Sequence, residues 1–208
     1  MYVALSVLAI FLVLMFSEYG WRRHWLANEF GRKFVHITVG SFVAFWPFFM
    51  SWNQIRLLSL AFLVVVVLSD RFKLFHAVHS VQRPTFGEIC FAAVVGLLTF
   101  VTHSKGIYAA SLLQMSLADG LAAVLGVRYG RDNKYHVLGH LKSVVGTSTF
   151  FIVSLCLLVG YGLYSVAGIS LPAAMAGALI ATAVENLAPL GLDNLVVPLF
   201  IGLLLTSL

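Results

Sequence analysis

Apolar residues run along this chain in eight long stretches, which are separated by charged residues or by Gly, Pro and Asn. The stretches are continuously apolar and lack the alternation of a β-barrel strand, so they predict membrane-spanning helices. Several are shorter than the roughly 20 residues that cross a bilayer, and seven spans is the alternative count if the last one does not cross. The pattern predicts an all-α, polytopic transmembrane bundle with spans at residues 2–17, 35–50, 56–70, 87–102, 107–127, 145–165, 171–187 and 194–208.

The composition supports this interpretation. Of the 208 residues, 61% are hydrophobic and 10% are charged, whereas a soluble chain carries about 25% charged residues. A soluble globular domain and a disordered chain are therefore excluded. Because little of the chain lies outside the predicted spans, we expect residues 1–208 to form a single integral membrane domain.

The positions of Lys and Arg predict how the bundle is oriented. Eleven of the 13 Lys and Arg residues follow the first, third or fifth span, and only Arg56 and Lys105 lie on the alternate side. Basic residues concentrate in cytoplasmic loops, so those three loops are expected in the cytoplasm. The formal net charge of +5 is explained by this bias, and no nucleic-acid partner is expected.

Three carboxylates lie within or at the edge of a span, where a charge is costly and tends to be functional. They are Asp119 in the fifth span, Glu185 near the end of the seventh and Asp193 before the last. Two structural alternatives remain: Asp119 pairs with an Arg in a packing seam, and Glu185 merely reaches the interface. The seam is a stripe of small residues at helical spacing, namely Ser116, Gly120, Ala123, Gly126 and Gly130.

A second polar cluster opens the sixth span. Lys142 and Ser143 are followed by Gly146 and further hydroxyl residues. Free N–H groups at a helix N-terminus, a glycine, hydroxyls and a lysine suit a phosphate, although the spacing is not that of a Walker A loop. Ordinary capping and snorkelling residues are the alternative. Carboxylates on the same side as a phosphate-binding corner fit Mg-nucleotide chemistry.

A third cluster lies where the second span begins. Arg32, Lys33 and His36 occupy about one helical turn at the predicted cytoplasmic edge. Such a group suits a phosphate or a lipid headgroup, and simple anchoring by positive charge is the alternative.

Six short motifs follow one another in order across most of the chain. They are Arg32-Lys33-x-x-His36, Thr85-Phe86-Gly87-Glu88, Ser116-x-x-Asp119-x-x-Ala122-x-x-x-Gly126-x-x-x-Gly130, Lys142-Ser143-x-x-Gly146-Thr147-Ser148, Glu185 and Asp193-Asn194-x-x-Val197-Pro198. This series resembles the CTP-dependent lipid-alcohol kinases, which include phytol, farnesol and dolichol kinases and the fungal-type diacylglycerol kinase.

The resemblance implies transfer of the γ-phosphoryl of CTP to the hydroxyl of a membrane lipid alcohol, with Mg²⁺ as cofactor. The acceptor would be an isoprenoid alcohol (polyprenol, dolichol, phytol or farnesol) or diacylglycerol. It implies catalytic roles for Asp119, Lys142 and Glu185, and Mg²⁺ binding by Asp119, Glu185 and Asp193; Asp119 or Glu185 would accept the hydroxyl proton. The nucleotide-binding residues that it implies are Arg32, Lys33, His36, Ser116, Arg131, Lys142, Ser143, Gly146, Ser148 and Asn194.

Two other functions stay open at this point. The Ser-x-x-Asp and Lys-Ser-x-x-Gly elements are similar to those of phosphatidate cytidylyltransferases, which would make a CDP-lipid, but the long C-terminal signature of those enzymes is absent. A small lipid transporter is a further alternative, although no inverted repeat is visible. The Gly- and Ala-rich faces of the fifth and seventh spans could also pack between subunits of a homo-oligomer.

Overall fold

The computed structural model describes residues 1–26, 28–72, 86–166 and 168–208. Within these ranges almost all of the regular structure is helical. The helices are α1 (Tyr2–Arg22), α2 (Asn28–Ala44), α3 (Trp52–Phe72), α4 (Gly87–Val101), α5 (Lys105–Leu113), α6 (Gly120–Tyr129), α7 (Val144–Tyr164), α8 (Leu171–Leu187) and α9 (Asp193–Ser207). A 3-10 turn covers Trp46–Phe48, and a π-helical segment, Gln114–Asp119, joins α5 directly to α6.

The helices confirm the predicted helical membrane bundle. In the described part of the chain, four helices are long and apolar enough to cross a bilayer: Tyr2–Arg22, Trp52–Ser69, Lys105–Tyr129 and Val144–Tyr164. Three further apolar helices are shorter, α4, α8 and α9. The count of seven or eight spans remains a prediction.

The second helix differs from the predicted span at residues 35–50. It begins at Asn28 and ends at Ala44, because Pro47 in the following 3-10 turn cannot continue an α-helix. Its polar first turns, which hydropathy alone leaves out, include an ion pair between Glu29 and Arg32 at 2.5 Å. Arg32, Lys33 and His36 therefore lie inside α2 and not at its beginning.

A β-hairpin connects α6 to α7, and the all-α prediction missed it. Strands β1 (Lys134–Val137) and β2 (His140–Ser143) are antiparallel. The two residues between them, Leu138 and Gly139, have positive φ values of 46° and 81°, as a type I′ turn requires. The strand pairing of this hairpin, in which Lys142 lies opposite Tyr135, positions Lys142 at the end of the bundle.

Two apolar clusters hold the helices together. One lies around α2, α4 and α5 and includes Val43, Val94 and Leu98. The other joins α7, α8 and α9, where the fully buried Ala174 and Ala178 allow close approach of the helices. The packing leaves polar side chains at one end of the bundle, where the site is found.

Candidate active site

A polar pocket of about 940 Å³ lies where α2, α7 and α9 begin and α6 and α8 end, beside the hairpin. Its volume is in the range of small-molecule sites. Most of the residues predicted for the site line it: Arg32, Lys33, Asp119, Arg131, Lys142, Ser143, Gly146, Glu185, Asp193 and Asn194.

Asp119 reaches the pocket from the last residue of the π-helical segment and is buried. Lys33, which is also buried, donates to Asp119 Oδ2 at 2.5 Å, so the partner of Asp119 is a lysine and not the arginine considered above. His36 Nε2 donates to the main-chain oxygen of Met115 at 2.9 Å and lies 3.5 Å from Asp119 Oδ2. Short π segments are frequent at functional sites, and in this one both the Met115 oxygen and the Asp119 carboxylate lie against the side chain of His36 on α2.

A second lysine and a second carboxylate form a matching pair. Glu185, on the last turns of α8, is buried, and Lys142 of β2 bonds its carboxylate and, at 3.3 Å, its main-chain oxygen. Burial disfavours the charged form of Lys142, but Glu185, with smaller contributions from Asp193 and Asp119, outweighs burial and raises the pKa of the Lys142 ammonium. Lys142 therefore stays charged throughout the neutral pH range.

The three predicted metal ligands come together in this pocket. One carboxylate oxygen from each of Asp119, Glu185 and Asp193 lies within 4.8 Å of the others. In the described part of the chain, Asp193 Oδ1 and Asn194 Oδ1 are buried without a hydrogen-bond partner, while Asn194 Nδ2 donates to the Gly87 oxygen at 3.0 Å. An all-oxygen donor set with unpartnered buried oxygens fits a hard cation such as Mg²⁺.

The start of α7 forms another wall of the pocket. Ser143 caps this helix, its hydroxyl accepting from the Gly146 N–H at 3.0 Å. A Cβ atom on Gly146 would lie 3.1 Å from the main-chain oxygen of Ala122, so a side chain here would require the backbones of α6 and α7 to move apart by a few tenths of an ångström. The α7 N-terminus lines the same pocket as Asp119, and the N–H groups of a helix N-terminus favour an anion.

Three residues predicted for the nucleotide site lie elsewhere. Ser148 is exposed on the outside of α7, because one step along a helix turns a side chain by about 100°; Thr147 lines the pocket in its place. Ser116 is fully buried and packs against α2, with its Oγ 3.4 Å from Ser41 Oγ. His36 does not line the polar pocket, although its Nε2 lies 3.5 Å from the Asp119 carboxylate, which does.

The hairpin contributes residues that the motifs did not reveal. Tyr135 of β1 bonds through its hydroxyl to Thr147 and, at 2.8 Å, to Asn186 Oδ1, which ties the hairpin to α7 and α8. His140 and Leu141 line the pocket. Alternating polar and apolar residues on both sides of a Leu-Gly pair were a signal for this hairpin.

A comparison with known proteins decides the family. The chain is 35% identical over 179 residues to the phytol kinase of Synechocystis sp., and the match covers 82% of this chain and 76% of that protein. The chain belongs to the lipid-alcohol kinase family. This confirms the resemblance carried by the six motifs. No protein-family model matches the chain, and no solved structure matches it.

Proposed function

We propose that the protein is a membrane kinase that transfers the γ-phosphoryl group of CTP to the hydroxyl of a lipid alcohol. The observation that carries this proposal is the convergence of three carboxylates with Lys33, Lys142 and Arg32 in one pocket. Phosphoryl transfer depends mostly on positioning and on neutralising phosphate charge, and this pocket offers groups for both. The choice of CTP rests on the motif resemblance.

The reaction breaks the bond between the γ-phosphorus and the β–γ bridging oxygen and forms a bond from that phosphorus to the lipid oxygen. CDP and a lipid monophosphate result, and the hydroxyl proton passes to a carboxylate, Asp119 or Glu185. The chain's own groups position the reactants: Lys33, Lys142 and Arg32 bind phosphate oxygens, and the first turn of α7 receives the triphosphate.

Asp119, Glu185 and Asp193 would hold Mg²⁺, with Asn194 as an auxiliary ligand. When bound, the ion supplies positive charge to the phosphate oxygens. Two of these carboxylates are paired with lysines, Asp119 with Lys33 and Glu185 with Lys142. These lysines exchange their carboxylate partners for phosphate oxygens when the substrate binds.

The site is proposed to face the cytoplasm in a single domain of eight spans. The helix ends that meet at the pocket are those that the charge bias assigns to the cytoplasm, and CTP is found there. The relative in Synechocystis is a phytol kinase, which makes phytol the first acceptor to test. Polyprenol, dolichol, farnesol and diacylglycerol complete the acceptor range.

The purified protein with γ-labelled CTP, UTP or ATP, Mg²⁺ and these alcohols tests the proposal. We expect label from CTP in a lipid monophosphate, and its loss in Asp119→Asn. Asp132→Asn, an exposed carboxylate outside the pocket, is the matched control and should keep full activity. Pyrophosphate release with phosphatidic acid as acceptor, in place of labelled lipid, would assign the chain to the cytidylyltransferases.

A further inference from the structure

A second, apolar cavity of about 90 Å³ lies next to the polar pocket. It is lined by residues of α1, α2, α3 and α4 and by Asn194 at the beginning of α9. Its walls are hydrocarbon side chains from four different helices, among them Leu14, Val39, Phe62, Val66 and Phe91. The active-site chemistry described above does not use this cavity.

The inner end of the cavity is polar. His36 lies there, and Arg32 and Asn194 line both this cavity and the polar pocket. His36 Nε2 is 3.5 Å from Asp119 Oδ2. A molecule with an apolar body and one polar end would thus place its polar end at the carboxylates.

The outer end reaches the lipid-facing surface. Val65 of α3 lines the cavity and is 50% exposed. The neighbouring outward residues of α3 and α1, such as Val64 and Leu12, are also exposed and apolar. In a membrane these surfaces contact acyl chains, so the cavity connects the hydrocarbon phase with the polar pocket.

We infer that this cavity binds the hydroxyl-bearing end of the lipid alcohol, which arrives laterally from the bilayer between α1 and α3; the inference rests on the proposed function. A volume of about 90 Å³ exceeds the roughly 10–15 Å³ that one water needs, but a whole isoprenoid chain does not fit. The cavity therefore discriminates between alcohols by the shape of their first few carbons. The rest of the chain stays in the lipid, so its length does not affect binding.

Two substitutions on α3 test this site by binding alone. Val66→Trp fills the cavity, and Val64→Trp places the same side chain on the exposed face of the same helix. A long-chain primary alcohol with a diazirine close to its hydroxyl is photo-crosslinked to the protein in detergent. We expect labelled α1, α2 or α3 peptides in the wild type and in Val64→Trp, and at least tenfold less label in Val66→Trp. Equal labelling of the two variants, or none in the wild type, would overturn the inference.

A second pair on α1 replaces the first if Val66→Trp does not fold. Leu14 lines the cavity, whereas Leu12 is 58% exposed and does not, so Leu14→Trp and Leu12→Trp form a matched pair. The cavity-filling variants should raise the KM for phytol at least tenfold and leave the KM for CTP unchanged. Alcohols of equal branching near the hydroxyl but different chain length should have similar KM values, and a steep dependence on length would contradict the inference.

The two measurements separate this inference from the kinase proposal. If Val66→Trp abolishes labelling but the wild-type protein phosphorylates no alcohol, the binding site is supported and the kinase proposal is overturned. Phosphate transfer that the cavity-filling variants leave unchanged supports the kinase and overturns the binding site.

Discussion

Two buried carboxylates of the pocket, Asp119 and Glu185, are each paired with a lysine that is distant in sequence. Lys33 and Asp119 are 86 residues apart, and Lys142 and Glu185 are 43 apart. Buried pairs of this kind add little net stability, because desolvation offsets their attraction, yet removing one partner is strongly destabilising. The pairs are therefore better explained by a role in the pocket, where they hold charged lysine and carboxylate groups, than by a contribution to stability.

Lys33→Met should lower the free energy of unfolding by about 3–5 kcal/mol, because it leaves the buried Asp119 unpaired. Adding Asp119→Leu removes that lone charge and should recover most of the loss without restoring activity. Denaturant unfolding in detergent measures both. Arg22→Met is the control. Arg22 is exposed in its ion pair with Glu18, so its loss should lower the free energy of unfolding by less than about 1 kcal/mol. A double variant as unstable as Lys33→Met would contradict this account.

Asp193→Asn should raise the Mg²⁺ concentration needed for half-maximal activity at least tenfold. It removes charge from a carboxylate whose Oδ1 has no partner in the described chain, so the melting temperature without Mg²⁺ should hardly change. The stabilisation by added Mg²⁺, measured as a shift in melting temperature, should shrink in parallel. An unchanged Mg²⁺ dependence in both measurements would remove Asp193 from the metal site.

At the scale of elements, the crossing of α6 and α7 sets the shape of the pocket. Gly146→Ala places a Cβ against the backbone of α6, and overpacking of this kind costs about 1–3 kcal/mol. We expect a lower melting temperature and a higher KM for the nucleotide.

Gly160→Ala on the same helix is the matched control for Gly146→Ala. A Cβ there meets nothing within 4 Å, and alanine is favoured over glycine within a helix by roughly 0.5–1 kcal/mol. Gly160→Ala should therefore be neutral or slightly stabilising. Equal losses in both variants would show that helix propensity, and not the close crossing, is responsible.

The elements also show what the sequence could reveal. Long apolar runs located most helices, and the polar clusters flanking them located most of the pocket residues. No local pattern predicted the π-helical segment, whose Met115 oxygen accepts a hydrogen bond from His36 across a helix interface. The choice of Lys33 over an arginine as partner of Asp119 likewise depends on the packing of α2 against α6, which no local pattern records.

For the whole molecule, the charge bias predicts which end faces the cytoplasm. In a background of Cys90→Ser and Cys156→Ser, a cysteine replacing the exposed Asp132 beside the hairpin should react with a membrane-impermeant maleimide only in inside-out vesicles. A cysteine replacing Lys105, at the opposite end, should react only in intact cells. The reverse pattern would invert the topology and place the pocket away from the cytoplasm.

The short helices around the pocket have a consequence for the membrane itself. α4 and α9 have 15 residues each, so each is about 22 Å long against the roughly 30 Å of the hydrocarbon layer. If all eight predicted spans cross, we expect this hydrophobic mismatch to thin the bilayer locally and to place the pocket below the surrounding headgroups. In the proposed reaction, water and nucleotide would then enter an indentation at the depth of the lipid hydroxyl, and the acceptor would react without leaving the bilayer.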